Sequence, residues 1–438
     1  MRLGKIIKYT LIGLPVLVIG LTVVVIAVLM NMDFNQYKPL IAEETKKATG
    51  RDLVIAGDLS LEISLTPAIA VNGVTLSNAK WGKRPNMIKV ERFEARMALL
   101  PLVFGVVEIK RIVLIGADIL LEVDKKGRAN FVMAPPGAKP AKPAEKTEAP
   151  EEAEDGGIGV IPVVREVEIR DSVVTYTDAK AGARYKMAIE SLILTGGEMA
   201  EPIGLLYTGA YNEAPVKLDA TLGAPAELLA PTKPWPVDLT LRAGGATITV
   251  KGTIAEPMQG KGLNLTVSVK GGQLGDLSKL AGSEVPALGA YSLSTKVTGN
   301  PASTVKLTGF KAALAGSDLA GDITAKLSGR RQAITATLTS EKIDLTVLGA
   351  AGGGGDGGAD QPAAKKSDKV FPKDPLPLDG LKAIDVKMKF SAGTILVADM
   401  TLTNANIGLS LKGGNLIVKP LKAVVAEGTL DGSVQLDG

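Results

Sequence analysis

The side chains that most often carry chemistry are either missing from this sequence or scattered along it. Among 438 residues there is no cysteine and no histidine. Without an imidazole there is no Ser-His-Asp triad and no histidine general base near neutral pH. Without a thiolate there is no cysteine nucleophile, and the loss of both residue types removes the ordinary ligands of a zinc site. The lack of cysteine leaves the redox compartment undefined. Carboxylates, serines and lysines remain. Glu151 and Glu152 could form an acid–base pair, but they stand in a Pro/Ala-rich stretch where both would be solvated. Asp118, Glu122 and Asp124 share a strand-like region and could ligate calcium, although the plainer reading is a strand's polar face. The glycines of 352–358 lack the Gly-Lys-Ser/Thr ending of a phosphate loop and read as linker. Asn264-Leu265-Thr266 is a chance-level glycosylation match, and the isolated Trp81 and Trp235 read as packing residues. Nothing in these spacings converges, so the sequence predicts a protein that is not an enzyme and takes no cofactor or metal.

Binding to nucleic acid is excluded on similar grounds. The formal charge is only +4, and basic residues occur at most as pairs such as Lys46-Lys47 and Arg330-Arg331. A nucleic-acid interface needs a concentrated basic patch. Hydrophobic residues make up 46% of the chain and aromatics only 4%, with 50 glycines. That balance favours strands and turns over helix bundles.

The elements that would position any function start with residues 10–32, an almost unbroken apolar run. As a helix it reaches roughly 33 Å, enough to cross a hydrocarbon core, with Leu11, Val18, Val25 and Met30 along it. Arg2, Lys5 and Lys8 precede the run and Asp33 follows it. The positive-inside bias therefore keeps residues 1–9 cytoplasmic and exports everything after residue 33. The competing reading, a cleaved signal peptide, fits less well because the run is long and no clear A-x-A site follows. Residues 37–48 read as a short amphipathic helix, with Pro39 in its first turn, Gly50 beyond its end, and Tyr37, Leu40, Ile41 and Ala48 near one face. The plain reading is a spacer packing on the first strands; a membrane-surface role fits less well because the polar face is mixed in sign.

From residue 53 the helical period gives way to alternation. Leu263, Leu265, Val267 and Val269 alternate with polar residues, as do Leu293 and Val297 in the next such run. Period two means one apolar and one wet face, as in antiparallel sheet, and counting such runs predicts on the order of twenty strands. Two low-complexity stretches interrupt the pattern, 135–157 (Pro, Ala, Lys, Glu) and 349–368 (Gly, Ala, Asp). Neither can bury enough apolar surface to order itself, and both read as long loops hanging off one sheet. The expected organisation is thus a tail (1–9), a transmembrane helix (10–32), a helix and β block (33–134), a loop (135–157), a repeated β body (158–348), a loop (349–368) and a last β block (369–438).

The block after the helix resembles the AsmA family. The resemblance rests on Thr49-Gly50-Arg51, Ala56-Gly57-Asp58-Leu59, Leu65-Thr66-Pro67, Val74-Thr75-Leu76-Ser77-Asn78-Ala79, Leu99-Leu100-Pro101-Leu102 and Gly127-Arg128-Ala129-Asn130-Phe131. Gly316-Ser317-Asp318-Leu319-Ala320-Gly321 and the stretch 378–436 are similar to later family blocks. The resemblance implies an inner-membrane-anchored, periplasmic protein whose fold is mainly β. A transmembrane helix and a short helix would lead into an elongated, curved, largely antiparallel β-sheet groove with one apolar face. It also implies kinship with bridge-like lipid-transfer proteins, membrane phospholipids as partners, and a part in outer-membrane biogenesis alongside envelope assembly proteins. Family members commonly continue beyond the block that closes here at Asp437-Gly438, so a shortened distal end is expected. Alternation alone favours an ordinary packed core, as in a solid sandwich; on the resemblance, Leu263, Leu265, Val267, Val269, Leu293 and Val297 instead line an acyl-chain path. The alternative is a non-catalytic scaffold for outer-membrane protein or lipopolysaccharide assembly.

Overall fold

The structure, a computed structural model, describes residues 33–62, 67–98, 109–133, 164–196, 199–329, 331–352, 384–398 and 400–437. The anchor residues Leu11, Val18, Val25 and Met30 lie outside the described residues, as do 135–157 and 353–368. Among the described residues no helix is long and apolar enough to cross a membrane. The fold is mainly β, as the alternation requires. The chain divides into two compact units between Pro215 and Val216, inside the span expected as a single body.

The first unit opens with a helical turn, Phe34–Tyr37, that runs into α1 (Lys38–Thr49). Pro39 sits at the start of α1, where its missing N–H costs nothing. Gly50 ends it at φ +70°, returning its N–H to the Lys46 carbonyl. Nine strands follow: β1 (Leu53–Ile55), β2 (Ser60–Glu62), β3 (Ala68–Ser77), β4 (Asn86–Met97), β5 (Ile109–Ile115), β6 (Asp118–Val123), β7 (Glu166–Asp178), β8 (Ala183–Thr195) and β9 (Ile203–Tyr211). Both β1 and β2 pair with β3, which pairs with β4. Strands β5 and β6 lie in line between β4 and β7, broken only at Gly116-Ala117, where the Ser172 hydroxyl accepts the Ala117 N–H.

The second unit holds β10 (Ala214–Leu222, its first two residues ahead of the boundary), β11 (Trp235–Ala243), β12 (Ala246–Glu256), β13 (Lys261–Gly271), β14 (Tyr291–Asn300), β15 (Thr304–Leu314), β16 (Ser317–Lys326) and β17 (Gln332–Asp344). It continues with β18 (Ile384–Val397), β19 (Met400–Lys412), β20 (Asn415–Val425) and β21 (Gly428–Leu436). From β10 to β21 every strand pairs with the next in sequence. Tight two-residue turns such as Ala315-Gly316 and Gly413-Gly414 hold both residues at positive φ, which matches the twist of the strands they join.

The low-complexity stretches have a topological reason. Among the described residues, strand pairing is parallel in two places, β5/β6 with β7 and β17 with β18. Parallel neighbours cannot be joined by a hairpin, because the chain must travel back along the sheet before starting the next strand. The connections from β6 to β7 and from β17 to β18 are the ones that carry 135–157 and 349–368. The second begins later than the glycine content suggests: α2 (Leu345–Gly352) runs through its first residues, with the Asp344 carboxylate accepting the N–H groups of Thr346 and Val347. A good N-terminal cap and an Ala/Leu-rich turn outweigh the glycines there.

Helix α1 neighbours the first strand, as expected, but not through its apolar residues. Its apolar residues Tyr37, Leu40 and Ile41 are exposed, Leu40 to 54%. The half-buried stripe is Lys38, Ala42, Thr45 and Thr49, and the helix's neighbour is β1. Ion pairs from half-buried Lys38 to Asp58 (3.4 Å) and from exposed Lys46 to Asp52 (2.6 Å) tie the helix to the chain that follows it.

Candidate apolar binding face

Residues opposite each other in a ladder point to the same side of the sheet. In the second unit this rule assembles one row across twelve strands. It begins Leu222, Val237, Gly252, Leu265, Val297 and Leu307. It continues Ile323, Ala336, Met388, Leu409, Val418 and Val434. At about 4.8 Å per strand, the row covers roughly 50 Å. A parallel row, two residues along each strand, runs from Trp235 through Ile254, Leu263, Gly299, Val305 and Ala325 to Ile334, Val386, Leu411, Leu416 and Leu436. Val269 faces Leu293 and Ile248, and Val267 faces Val250. The six residues read from sequence as an acyl-chain lining therefore share one face.

Most of these side chains are neither packed away nor fully wet. Leu263, Leu265, Val267, Val269, Leu293 and Val297 are all half-buried, and Val434 on the last strand is 43% exposed. Apart from Trp235, Ile395 and Leu411, the buried apolar residues among the described residues of this unit are alanines. Among the described residues a small cluster forms near β18 to β20, Ala392, Ile395, Ala405 and Ala423, with Phe390, Val397 and Leu402 against it. On the opposite face Thr221, Asp238, Lys251, Thr266, Lys296 and Thr308 line up in the same way, with Lys251 and Asp238 paired at 2.9 Å.

The first unit has its own apolar rows, Val71, Phe93, Leu114, Ile169, Leu192 and Tyr207, beside Ile69, Ala95, Ile112, Val167, Leu194 and Leu205. Its opposite face is charged rather than merely polar. Glu94 accepts from Arg92 Nε at 2.6 Å and Arg96 Nη2 at 3.1 Å, and Arg92 also binds Glu62. Arg111 bridges Glu166 and Glu168, and Arg170 binds Glu168 from the other side. Glu94, Val113 and Glu168 form the buried centre line of this face. Burial pushes the Glu94 carboxyl up, but its bonds to Arg92 and Arg96 outweigh that and hold it below the usual carboxylate range.

Comparison with known proteins agrees with the resemblance read from the motifs. Residues 3–193 match the AsmA family model. The chain is also 25% identical over 252 residues to the AsmA family protein YhjG of Escherichia coli (strain K12). Through this region the chain is similar to the AsmA family. The alignment covers 54% of this chain and 37% of that relative, so the chain spans well under half of the relative it matches. No solved structure matches.

Within the AsmA region the shared motifs meet in one buried polar clasp. Asn130, with 0% exposure, donates through Nδ2 to Asn78 Oδ1 (2.9 Å) and the Leu120 carbonyl (2.9 Å). Its Oδ1 accepts the Glu122 N–H at 2.7 Å. Asn78 Nδ2 donates to Glu122 Oε2 (2.8 Å), which also accepts the Lys83 N–H (3.1 Å). Arg51 closes the clasp by donating to the Asn130 carbonyl (2.9 Å). Thus Thr49-Gly50-Arg51, the Asn78 segment and the Asn130 segment, far apart in sequence, are one structural unit. The strand-face reading of Asp118, Glu122 and Asp124 is corrected in one respect: Glu122 is buried in this clasp, because its partners come from two loops folded over the strand end. Asp118 pairs with Arg84 and Asp124 with Arg128, so the three do not share a site. The later motif also has a structural task. Asp318 accepts the N–H groups of Glu341 (3.0 Å) and Lys342 (2.8 Å), and Ser317 Oγ accepts that of Asp344 (2.9 Å).

Trp81 lies under the Arg128 guanidinium at 5.3 Å, and buried Trp235 donates from Nε1 to the Ala224 carbonyl. Sequence reasoning missed Leu222, Val237, Leu307, Ile323, Met388, Leu409 and Val418 as partners of Leu265 and Val297. Each lies in a run that alternates, but which members share a row is set by register, and the turn lengths between strands were the only available signal.

Proposed function

We propose that this protein is a non-catalytic, inner-membrane-anchored periplasmic protein that conducts phospholipid acyl chains along its apolar sheet face in support of outer-membrane biogenesis. The observation that carries the proposal is the row from Leu222 to Val434, with an apolar side chain on eleven of its twelve strands (Gly252 the exception) and half-buried for most of its length. A sheet face of that length left partly wet is costly unless something apolar covers it. An acyl chain suits it. Burying about eight methylenes contributes roughly 6 kcal/mol before ordering costs, and a row without polar groups offers no fixed stopping point along its length. Aliphatic side chains with few aromatics make a smooth surface for such sliding. The apolar run at 10–32 and the match of residues 3–193 to the AsmA family model support placing that surface next to a bilayer.

The test is photo-crosslinking on the purified full chain. Photoreactive side chains are placed at Leu265 and Val297 on the row, and at Thr266 and Lys296 on the opposite face, with phospholipid adducts read by mass spectrometry. Adducts at 265 and 297 and none at 266 and 296 are expected. Reproducible absence of lipid at all four positions, with protein adducts instead, would replace the conduit by a scaffold for assembly partners.

A further inference from the structure

Resting on the anchored reading above, we infer that α1 lies on the bilayer surface with Tyr37, Leu40 and Ile41 inserted among the lipid headgroups, so that the first strands are held against the membrane. The helix is inside out for a soluble protein. A surface helix ordinarily turns its apolar stripe toward the core. Here the inward stripe is Lys38, Ala42, Thr45 and Thr49, while Tyr37, Leu40 and Ile41 are 39%, 54% and 39% exposed.

The sequence before the helix identifies the occupant. Only Asp33 separates the apolar run 10–32 from the helical turn at Phe34, and its carboxylate caps that turn by accepting the Asn35 N–H at 2.9 Å. Even fully extended, the chain from Met32 to Tyr37 reaches no more than about 17 Å, and helical winding shortens that. If the run ends at the edge of the hydrocarbon, Tyr37 and the turn after it lie at headgroup depth. Tyrosine and branched aliphatic residues are the side chains that partition there.

The charges specify the mode of contact. Each lysine of α1 has an acidic partner: Lys38 with Asp58, Lys46 with Asp52, and Lys47 with Glu43 and Glu44, both at 2.9 Å. The helix therefore offers no unpaired cation to anionic lipid, and insertion is apolar. It occurs in phosphatidylcholine alone and is indifferent to salt, unlike a polybasic contact.

The absence of cysteine makes the experiment direct. Leu40→Cys, Ile41→Cys and, as a control, Glu43→Cys are introduced singly into the full chain and labelled with an environment-sensitive fluorophore. The protein is then reconstituted into phosphatidylcholine vesicles carrying a shallow spin-labelled quencher. Labels at 40 and 41 are expected to shift to the blue and be quenched several-fold more than the label at 43, equally at low and high salt. Water-like emission at 40 and 41 on protein that resists carbonate extraction overturns the helix inference and leaves the anchor standing. Loss of the protein from the vesicles at carbonate overturns the anchor and this inference with it. A requirement for anionic lipid overturns the apolar mode.

Discussion

In the unit up to Pro215, the most deeply buried groups include Asn130 with its ring of polar partners and the Glu94–Val113–Glu168 line between arginines. In the unit from Val216, buried apolar residues are mostly alanine and the large aliphatic side chains stay half in water. Both are built from alternating strands, yet they are held differently. The first fixes a few long-range polar contacts, and a buried polar group left without its partner is heavily penalised. The second repeats one modest contact many times, so that no single residue carries much. A fixed first unit suits a part that holds position, and a repetitive, smooth second unit suits a surface along which something slides.

Each unit has one tryptophan, Trp81 in the first and Trp235 in the second, so single-tryptophan variants can follow the two unfolding transitions separately. The largest effect is expected for Asn130→Ala. It removes one donor from the Asn78 amide oxygen, which keeps the Ala79 N–H, takes the Asn130 donor from the Leu120 carbonyl and leaves the Glu122 N–H without its side-chain acceptor, at a cost of about 3 kcal/mol. Denaturant titration should move the Trp81 transition and leave that of Trp235 in place; a joint shift would mean the two units are not held independently.

Next in size is Gly321→Val in the second unit. Gly321 has φ +145°, and a Cβ there would lie 2.0 Å from the Thr337 carbonyl oxygen, which forces the β16–β17 ladder apart. A loss of about 2 kcal/mol or more is expected in the Trp235 transition. A neutral outcome would show that the ladder yields easily and that the repeat is softer than its pairing implies.

Paired valine deletions then measure the contrast itself. Val113→Ala, at a fully buried position, should cost about 2 kcal/mol, and Val297→Ala, half-buried on the row, about 1 kcal/mol or less. Equal losses in urea titrations would contradict a row left open to solvent. If lipid covers the row, adding phospholipid micelles should raise the stability of the wild type more than that of Val297→Asp.

The smallest effect is the pH dependence. Glu94 in the first unit and Asp318 in the second are both held below the ordinary carboxylate range. For Asp318, burial raises the value, and the N–H groups of Lys342 and Glu341 with the Ser340 hydroxyl more than offset it. A group whose folded pKa is depressed lends stability that is present above its unfolded value, about 4, and is lost as pH falls through the folded one. Both transitions should therefore weaken in acid. Glu94→Gln should flatten that slope for Trp81 alone, and Asp318→Asn for Trp235 alone.

The alternation of residues such as Leu263 to Val269 was legible because period two is a local property of the backbone: it determined strands, faces and the side-chain types on each. The two low-complexity stretches were legible as connections, and the AsmA motifs as a resemblance. Register was not, since it depends on where each turn closes and on bulges such as those between Ser294 and Lys296 or Leu307 and Phe310. Only the tertiary structure aligned Leu265 with Val297 and carried that row to Val434, reversed the orientation of α1, and gathered Arg51, Asn78, Glu122 and Asn130 into a single clasp. Those are contacts between distant segments, and a pattern confined to neighbours along the chain holds no record of which of them will meet.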